Sequence, residues 1–589
     1  MNEKIKKILN KEIHVDYLDK LNGVVSYFSV FEKLIFFVFV GIFSLSAFWI
    51  AIKLNNNFLM EIPSRGGTLT EGVIGYPPFI NPLLFGSEPG NDLTALVYSG
   101  LMRTDENGNL IPDLAKDYTI SSDGLIYTFT LKDNIYFHDG TPVTTDDIEF
   151  TIKKAQDSTL KSTKRANWDG VTVEKINDKQ IKFTLKSPYA PFTENTTLGI
   201  LPKHIWGNIT SDQFTFSQFN IEPIGSGPYK ISKIKRTSSG LPEYYELTAF
   251  NNFALGEPYI KNIIIKFYSD EKNLIAAYER GEIESMNSVS PSNAKIFEKT
   301  GARIETSPLP RIFGLFLNQN QSPVLSYKEV RQALDMSVNR EQIINEILQG
   351  YGVEDNSPIP RAVLESSTDK AKGTENNDQN IENAKTLLDK NGWKINSDGV
   401  RVKNISKKET KTLEFSISTS NSPELKTVAQ ILKTQYERIG AKVDVKIFEP
   451  GDLNQNVIRP RKYDALLFGE IIGRDLDLYA FWHSSQRNDP GLNIAQYVNP
   501  KIDKLLENGR LIYDKQKRLN QYKNFETEIK KDIPAIFLYS PDFIYIVPQK
   551  VKGFSIGGLA IPAERFNNVY NWYIETEKVW DIFVKNKTI

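Results

Sequence analysis

The chain contains no cysteine. That absence excludes disulfides, thiolate nucleophiles, zinc–thiolate centres and a lipid-modified N-terminal cysteine. Histidine is almost as scarce, with only His14, His138, His204 and His483. None stands at metal-ligand spacing from another, so no metal site is expected. The motifs HExxH and GxGxxG are missing, as is the phosphate-cradling GxxxxGK loop. Without them, neither enzymatic activity nor a cofactor is expected. An excess of one charge is also lacking, since 72 basic residues face 72 acidic ones. A nucleic-acid binder would carry a basic stripe, so nucleic acid is not an expected partner.

What is present is apolar mass. Apolar residues make up 40% of the 589 and aromatics 11%, enough for large cores. At roughly 150 residues per domain the length suits about four units, or two or three merged α/β lobes. Near the N-terminus, Leu34 to Ile52 runs uncharged between Lys33 and Lys53. A helix of that length spans about 28 Å, close to the hydrocarbon thickness of a bilayer. A core helix would show a polar face, and this run has none. A cleaved signal peptide is the rival reading. Ser44, Ser46 and Ala47 would permit cleavage, but 33 residues are long for the segment before it. Lys4, Lys6, Lys7, Lys11, Lys20 and Lys33 place the N-terminus inside. The expectation is a single pass through the cell membrane. Residues 1–33 would be cytoplasmic, 34–52 the transmembrane helix and 53–65 a linker, with the bulk of the chain extracytoplasmic.

Beyond Gly66 the pattern alternates strands and helices. Tyr127, Phe129 and Leu131 alternate with polar residues, as a half-buried strand does. Val171 and Val173, a turn at Asn177–Lys179, then Ile181, Phe183 and Leu185 predict a β-hairpin. Asp146 and Asp147 suit a helix N-terminus, where negative charge favours the dipole. Ser326 with Glu329 predicts a capping box. Leu413, Phe415 and Ile417 read as a strand, and Ser422 with Pro423 opens a helix. That helix carries Leu425, Val428, Leu432, Tyr436 and Ile439 on one face. Val443, Val445 and Ile447 form the next strand, which completes a βαβ unit. A third strand follows at 463–469. The polar stretch 365–380 reads as a surface loop.

Among candidate binding residues, Asp475 and Asp477 stand just after that third strand, where the crevice of an α/β sheet opens. Three readings of the pair stay open: acid and base, a site for a cation or ammonium, or caps for a helix from Leu478. Trp482 lies close by and would suit a ligand with one positive and one apolar part. A tryptophan taken alone is more often core.

Several segments, in order, resemble a known family. They are LVYSGLMRTDENGNLIPDLAKDY (97–118, read from Leu96), SSDGLIYTFTLKDNIYFHDGTPVTTDDIEFTI (121–152) and IGSGPYKI (224–231). Then come FLNQNQSPVLSYKEVRQALDMSVNREQII (316–344), ENAKTLLDKNGW (382–393), YERIGAKVDV, FWHSSQ and IAQYVNPKIDKLL. These resemble the peptide/nickel-type, family 5 extracytoplasmic solute-binding proteins of ABC importers, from Gly66 to about Tyr573.

The resemblance implies a two-lobed α/β fold of the periplasmic-binding-protein type (type II), with an extra α/β domain inserted in lobe one. By analogy, lobe one is 66–112, 223–314 and 541–589, the inserted domain 113–222 and lobe two 315–540. It implies a monomer that closes on an oligopeptide or similar solute and docks on a permease served by ATPase subunits. Backbone edges would hold the ligand near Tyr76, Pro77 and Phe79 on one side and Gly469, Ile471 and Gly473 on the other. Asp475, with Asp477 as rival, would hold the ligand's ammonium group. The stretch IIGRDLD departs from the family's aromatic- and proline-bearing version, and the lipid-anchoring cysteine is replaced by the N-terminal helix. Two other classes remain: a tethered solute sensor signalling to a membrane partner, and a hydrolase on the same scaffold.

Overall fold

The computed structural model describes residues 23–361, 377–474 and 476–580. They form two units, residues up to Ser64 with those from Thr576 onward, and Arg65–Glu575.

In the first unit a 29-residue helix runs from Val30 to Phe58. Ser29 and Glu32 close a capping box at its start, which satisfies two of its free N–H groups. The helix is longer than the 34–52 run at both ends. It continues to Phe58 through much of the stretch read as linker, and Leu59–Ser64 is then a strand paired with Glu575–Trp580. Its apolar window is long enough to cross a membrane and has no buried residue.

The second unit is built on a twelve-stranded mixed sheet. In one half, Gly66–Ile74 lies parallel to Ile260–Tyr268. Antiparallel neighbours Pro242–Ala249 and Tyr229–Arg236 follow. In the other half, Glu414–Ser420 lies parallel to Lys442–Phe448, joined by the helix Pro423–Arg438, so the predicted βαβ unit is present. The third strand is Ala465–Ile471, antiparallel to Arg311–Leu317. One long strand, Ala535–Ile546, joins the halves. Its first residues pair with Arg311–Leu317 and its last with Ile304–Pro308. The chain therefore crosses between halves along two antiparallel paths, at Pro308–Arg311 and near Ser540–Pro541. Separate cores fill the two sides, one around Leu69, Tyr245 and Phe566, the other around Leu315, Val428 and Leu467.

A separate four-stranded antiparallel sheet lies within the stretch expected as the insertion: Ala115–Ile120, Ile126–Leu131, Gln180–Thr184 and Thr172–Asn177. The predicted hairpin is its edge pair. Tyr127, Phe129 and Phe183 point inward and are fully buried. The helix Thr145–Gln156 packs on this sheet, and its N-terminus holds Asp146 and Asp147 as the dipole argument requires. Asp147 accepts from Thr144 N (2.9 Å) and Lys203 N (2.8 Å), while Asp146 takes Lys175 at 2.5 Å.

The box predicted at Ser326 and Glu329 does not form. Residues Pro323–Ser326 make a 3-10 turn, and Ser326 Oγ donates to Pro323 O. Glu329 instead accepts from Lys403 Nζ (2.8 Å) and Trp393 Nε1 (3.4 Å). A carboxylate with a lysine and an indole in reach has better partners than a backbone N–H that water can serve. The polar stretch 365–380 lies mostly outside the described residues, and Asn377 already begins a helix.

His138 ties the stretch that carries the four-stranded sheet to the turn at Gly225–Gly227. Its N–H donates to Gly225 O (2.8 Å), Nδ1 accepts from Gly225 N (3.3 Å) and Nε2 faces Gly227 O (3.0 Å). Burial pushes its pKa down to about 4, against the opposing Gly227 carbonyl. Folding thus favours neutral imidazole. The stabilisation is complete above the unfolded value of about 6.5 and is lost as pH falls towards about 4. Asp355, pushed up to about 7 by burial, acts in the opposite sense across the same range. The His138 contribution is therefore read as a difference. The stability advantage of wild type over His138→Asn should shrink by up to about 3 kcal/mol between pH 6.5 and 4 in chemical denaturation. A pH-independent difference would show that the imidazole keeps its proton on folding.

Candidate functional site

A cavity of about 720 Å³ lies between the two halves. Its walls come from three places in the sequence. The segment Asn81–Thr104 with Ala560–Asn567 forms one side, Thr163–Gly199 of the insertion a second, and Ile472–Asp477 the third. The third wall is a loop that leaves the end of a strand, while the first mixes loops with residues of the helix Glu88–Val97 and the 3-10 helix Pro562–Asn571.

The third wall grows out of Ala465–Ile471. Arg311–Leu317 occupies one edge of that strand throughout. Glu414–Ser420 covers the other edge only at Ala465 and Leu466. Thr419 Oγ1 then reaches Leu467 O at 3.0 Å. From Phe468 onward no strand among the described residues pairs with that second edge. Glu470, on the core side, is nearly fully buried with no partner for either carboxyl oxygen. Burial raises its pKa well above the ordinary carboxylate value, which favours its neutral form.

Of the residues expected at a ligand, Gly473 and Asp477 line the cavity. Asp475 lies outside the described residues. Tyr76, Pro77 and Phe79 form a packed turn and are not among the residues that line the cavity. Tyr76 rests on the Phe267 ring, with centroids 6.2 Å apart, and its carbonyl accepts from Ser87 Oγ (3.0 Å). Pro77 is buried, and Phe79 is half-buried with its carbonyl against Gly90. At Gly469 an added Cβ would strike the Phe313 ring at 2.7 Å, so only glycine lets this strand lie flat there. Ile471 is exposed. Trp482 is core: it is 1% exposed and packs between Phe316 and Phe537. The sequence pattern could not separate it from a ligand-facing ring, because its neighbours come from strands 55 or more positions away in either direction.

Asp477 is already matched. Arg510 forks onto it, with Nη2 to Oδ2 at 2.7 Å and Nε to Oδ1 at 2.9 Å. Tyr189 from the insertion donates to Oδ2 at 3.1 Å. Arg510 also lies 3.9 Å over the Tyr479 ring. A carboxylate holding a bidentate arginine has little charge left for a ligand's ammonium group. Around it, more contacts cross the cleft. Ala190 N donates to Arg510 O (2.9 Å), and Tyr513 donates to Gly124 O (2.8 Å). Arg474 pairs with Glu564, which also accepts from Ala560 N at 2.6 Å. Burial raises the Glu564 pKa while Arg474 opposes it. Sequence reasoning missed Arg474, Glu564, Arg510 and Tyr189. Arg474 was in view inside IIGRDLD, but its partner stands 90 positions away and nothing local marks it.

A ligand-sized cavity walled by two sheet halves joined by two crossing paths defines a two-lobed binding protein. The sequence over residues 109–491 matches the bacterial extracellular solute-binding proteins, family 5 Middle, and the chain belongs to that family. It is 29% identical over 519 residues to the oligopeptide-binding protein AppA of Bacillus subtilis, covering 87% of this chain and 92% of that one. The structure of AppA in complex with a nonapeptide superimposes with a TM-score of 0.68 at 28% identity, covering 87% of this chain and 100% of that chain. NikZ from Campylobacter jejuni, solved with Ni(L-His), gives 0.69 at 30% identity, covering 86% and 99% respectively. Both neighbours share the two-lobed family fold.

Proposed function

We propose that this protein captures an oligopeptide between its lobes, at the outer face of a cell membrane, and hands it to an ABC permease. Lobe one would comprise 66–112, 223–314 and 541–589, the insertion 113–222 and lobe two 315–540. The observation that carries the reading is the cavity, whose third wall, Ile472–Asp477, follows directly on the strand Ala465–Ile471 with its partly unpaired edge. An extended peptide adds to such an edge as a further strand, which gives affinity without reading side chains. Asp475 is the proposed contact for the peptide's ammonium group, because Asp477 is matched by Arg510. Likeness to AppA supports a peptide. Likeness to NikZ supports a second reading, a small metal chelate.

Native mass spectrometry of the protein, released from detergent after exposure to a mixed peptide pool and to nickel with histidine, separates the two. Retained peptides of a narrow length range are the expected result. A retained nickel–histidine complex alone would transfer the site to the second reading.

Attachment rests on the exposed Val30–Phe58 helix. Deleting residues 30–58 should move the protein from the membrane pellet to the supernatant after carbonate washing. A truncated protein that still pellets would place the attachment elsewhere.

A further inference from the structure

The exposed helix Val30–Phe58 ends in an aromatic pair drawn from two distant parts of the chain. The Trp580 ring stacks on Phe58, with centroids 6.2 Å apart, and its indole N–H donates to Asn55 Oδ1 at 2.9 Å. Trp580 closes the strand Glu575–Trp580, which pairs with Leu59–Ser64 where the chain leaves the helix. Further along, Lys578 Nζ lies 4.0 Å from Glu61. The partners thus fall from Trp580 to Lys578 as the first strand advances from Phe58 to Glu61. The two strands therefore run antiparallel, and the later one returns to the end of the helix.

Stacking does not cover the pair. Trp580 stays 44% exposed and Phe58 55%, and Leu54, one turn before Phe58, is as open. Large apolar groups left bare side by side ask for an apolar neighbour. Their level along the helix says which. The uncharged run ends at Ile52, and Lys53 follows with its Nζ 5.1 Å from the Trp49 ring. At about 1.5 Å per residue, Asn55 stands about 4.5 Å beyond Ile52 and Phe58 about 9 Å beyond it. The headgroup layer of a bilayer is about 5–8 Å deep on each side. An indole held between Asn55 and Phe58 falls in that layer or at its outer edge, where tryptophan finds an apolar bed and polar partners together. Past this level the paired strands turn charged, with Glu61, Glu575, Glu577 and Lys578. Apolar helix, aromatic pair and charged strands thus follow the order of hydrocarbon, headgroups and water.

We propose that Trp580 and Phe58 form a lipid-contact site, which seats the end of the strand Glu575–Trp580 in the headgroup layer of the bilayer. This rests on the attachment reading, in which the helix Val30–Phe58 crosses that bilayer. The occupant is lipid because the pair continues a helix surface whose apolar window has no buried residue. The protein then meets the membrane with two segments, the helix and a strand whose Trp580 stands 525 positions after Asn55.

The test is tryptophan quenching in the full-length protein reconstituted in phosphatidylcholine vesicles. The lipids carry bromine either just below the headgroup or near the ends of the acyl chains, and bromine quenches only the indoles it reaches. Trp168, Trp206, Trp393, Trp482 and Trp572 are fully buried, so Trp49 and Trp580 are the two open to lipid. The Trp580 signal is the emission that a Trp49→Phe protein loses on the further change Trp580→Phe. Phenylalanine keeps a ring against Phe58, so the paired strands stay in place. Shallow bromine should remove most of the Trp580 signal and deep bromine little of it, while the double variant responds to neither lipid. The Trp49 signal, wild type against Trp49→Phe, reports the span itself. If Trp49 is quenched and Trp580 is not, or if deep bromine quenches Trp580 more than shallow, the Trp580 assignment falls while attachment stands. If neither indole is quenched by either lipid, the attachment reading fails and this inference with it.

Discussion

An Arg565→Met protein should lose about 3–5 kcal/mol of stability in urea unfolding, the cost typical of removing one partner from a buried ion cluster. Arg565 is completely buried, as are Glu71 and Asp92 beside it. It forks onto Asp92 with two contacts of 2.7 Å and reaches Glu71 at 2.6 Å. Tyr545 donates to the other Glu71 oxygen at 2.6 Å, and the Phe566 ring lies 4.1 Å from the guanidinium. One arginine thus joins the strand Gly66–Ile74, the helix Glu88–Val97, the crossing strand and the C-terminal segment. Methionine would fill much of the space but leave two carboxylates facing each other without water. Glu71→Gln makes the control. Burial raises the Glu71 pKa against the pull of Arg565, so the cluster carries one acid more than it can match. Removing that charge should cost about 1 kcal/mol or less. Equal losses for the two variants would mean that packing rather than charge holds this junction.

Arg474→Met should weaken ligand binding about 10- to 100-fold, chiefly through faster dissociation. Arg474 and Glu564 stand on opposite walls of the cavity and pair across it, so in the proposed capture by closure their pair would be lost when the walls part. A hydrogen bond to a charged group contributes about 1.5–3 kcal/mol, and all of it favours the closed state. A ligand's apparent affinity scales with the fraction of protein competent to close on it. Small-angle scattering of the ligand-bound variant should therefore report a larger radius of gyration than wild type. Tyr189→Phe removes one neutral donor to Asp477 across the same cleft and should cost only a few-fold. Unchanged dissociation and radius in Arg474→Met would remove the pair from closure.

These two clusters mark where local sequence ceases to inform. Local periodicity was enough for the hairpin at Thr172–Thr184 and for the unit from Glu414 to Phe448. In both, the alternation of apolar residues and the turn residues belong to a few dozen consecutive positions. The helix start at Asp146 and Asp147 was legible in the same way, since a helix end reads its own first turn. The signal Ser326–Glu329 was of the same kind and failed, because Lys403 and Trp393 arrive from elsewhere and take the carboxylate.

At the site, Asp477 carried the right chemistry in the sequence for an ammonium contact. Only the fold brings Arg510 from 33 positions on and Tyr189 from 288 positions back to neutralise it. The sequence by itself determined the apolar N-terminal helix, the alternating α/β pattern and the family, since each rests on residues close along the chain or on ordered motifs. Tertiary structure alone decided which charges are matched and where Trp482 points. Charge pairing and burial depend on distances in space, and residues of lobe two and the insertion meet only after the chain has crossed twice between the halves.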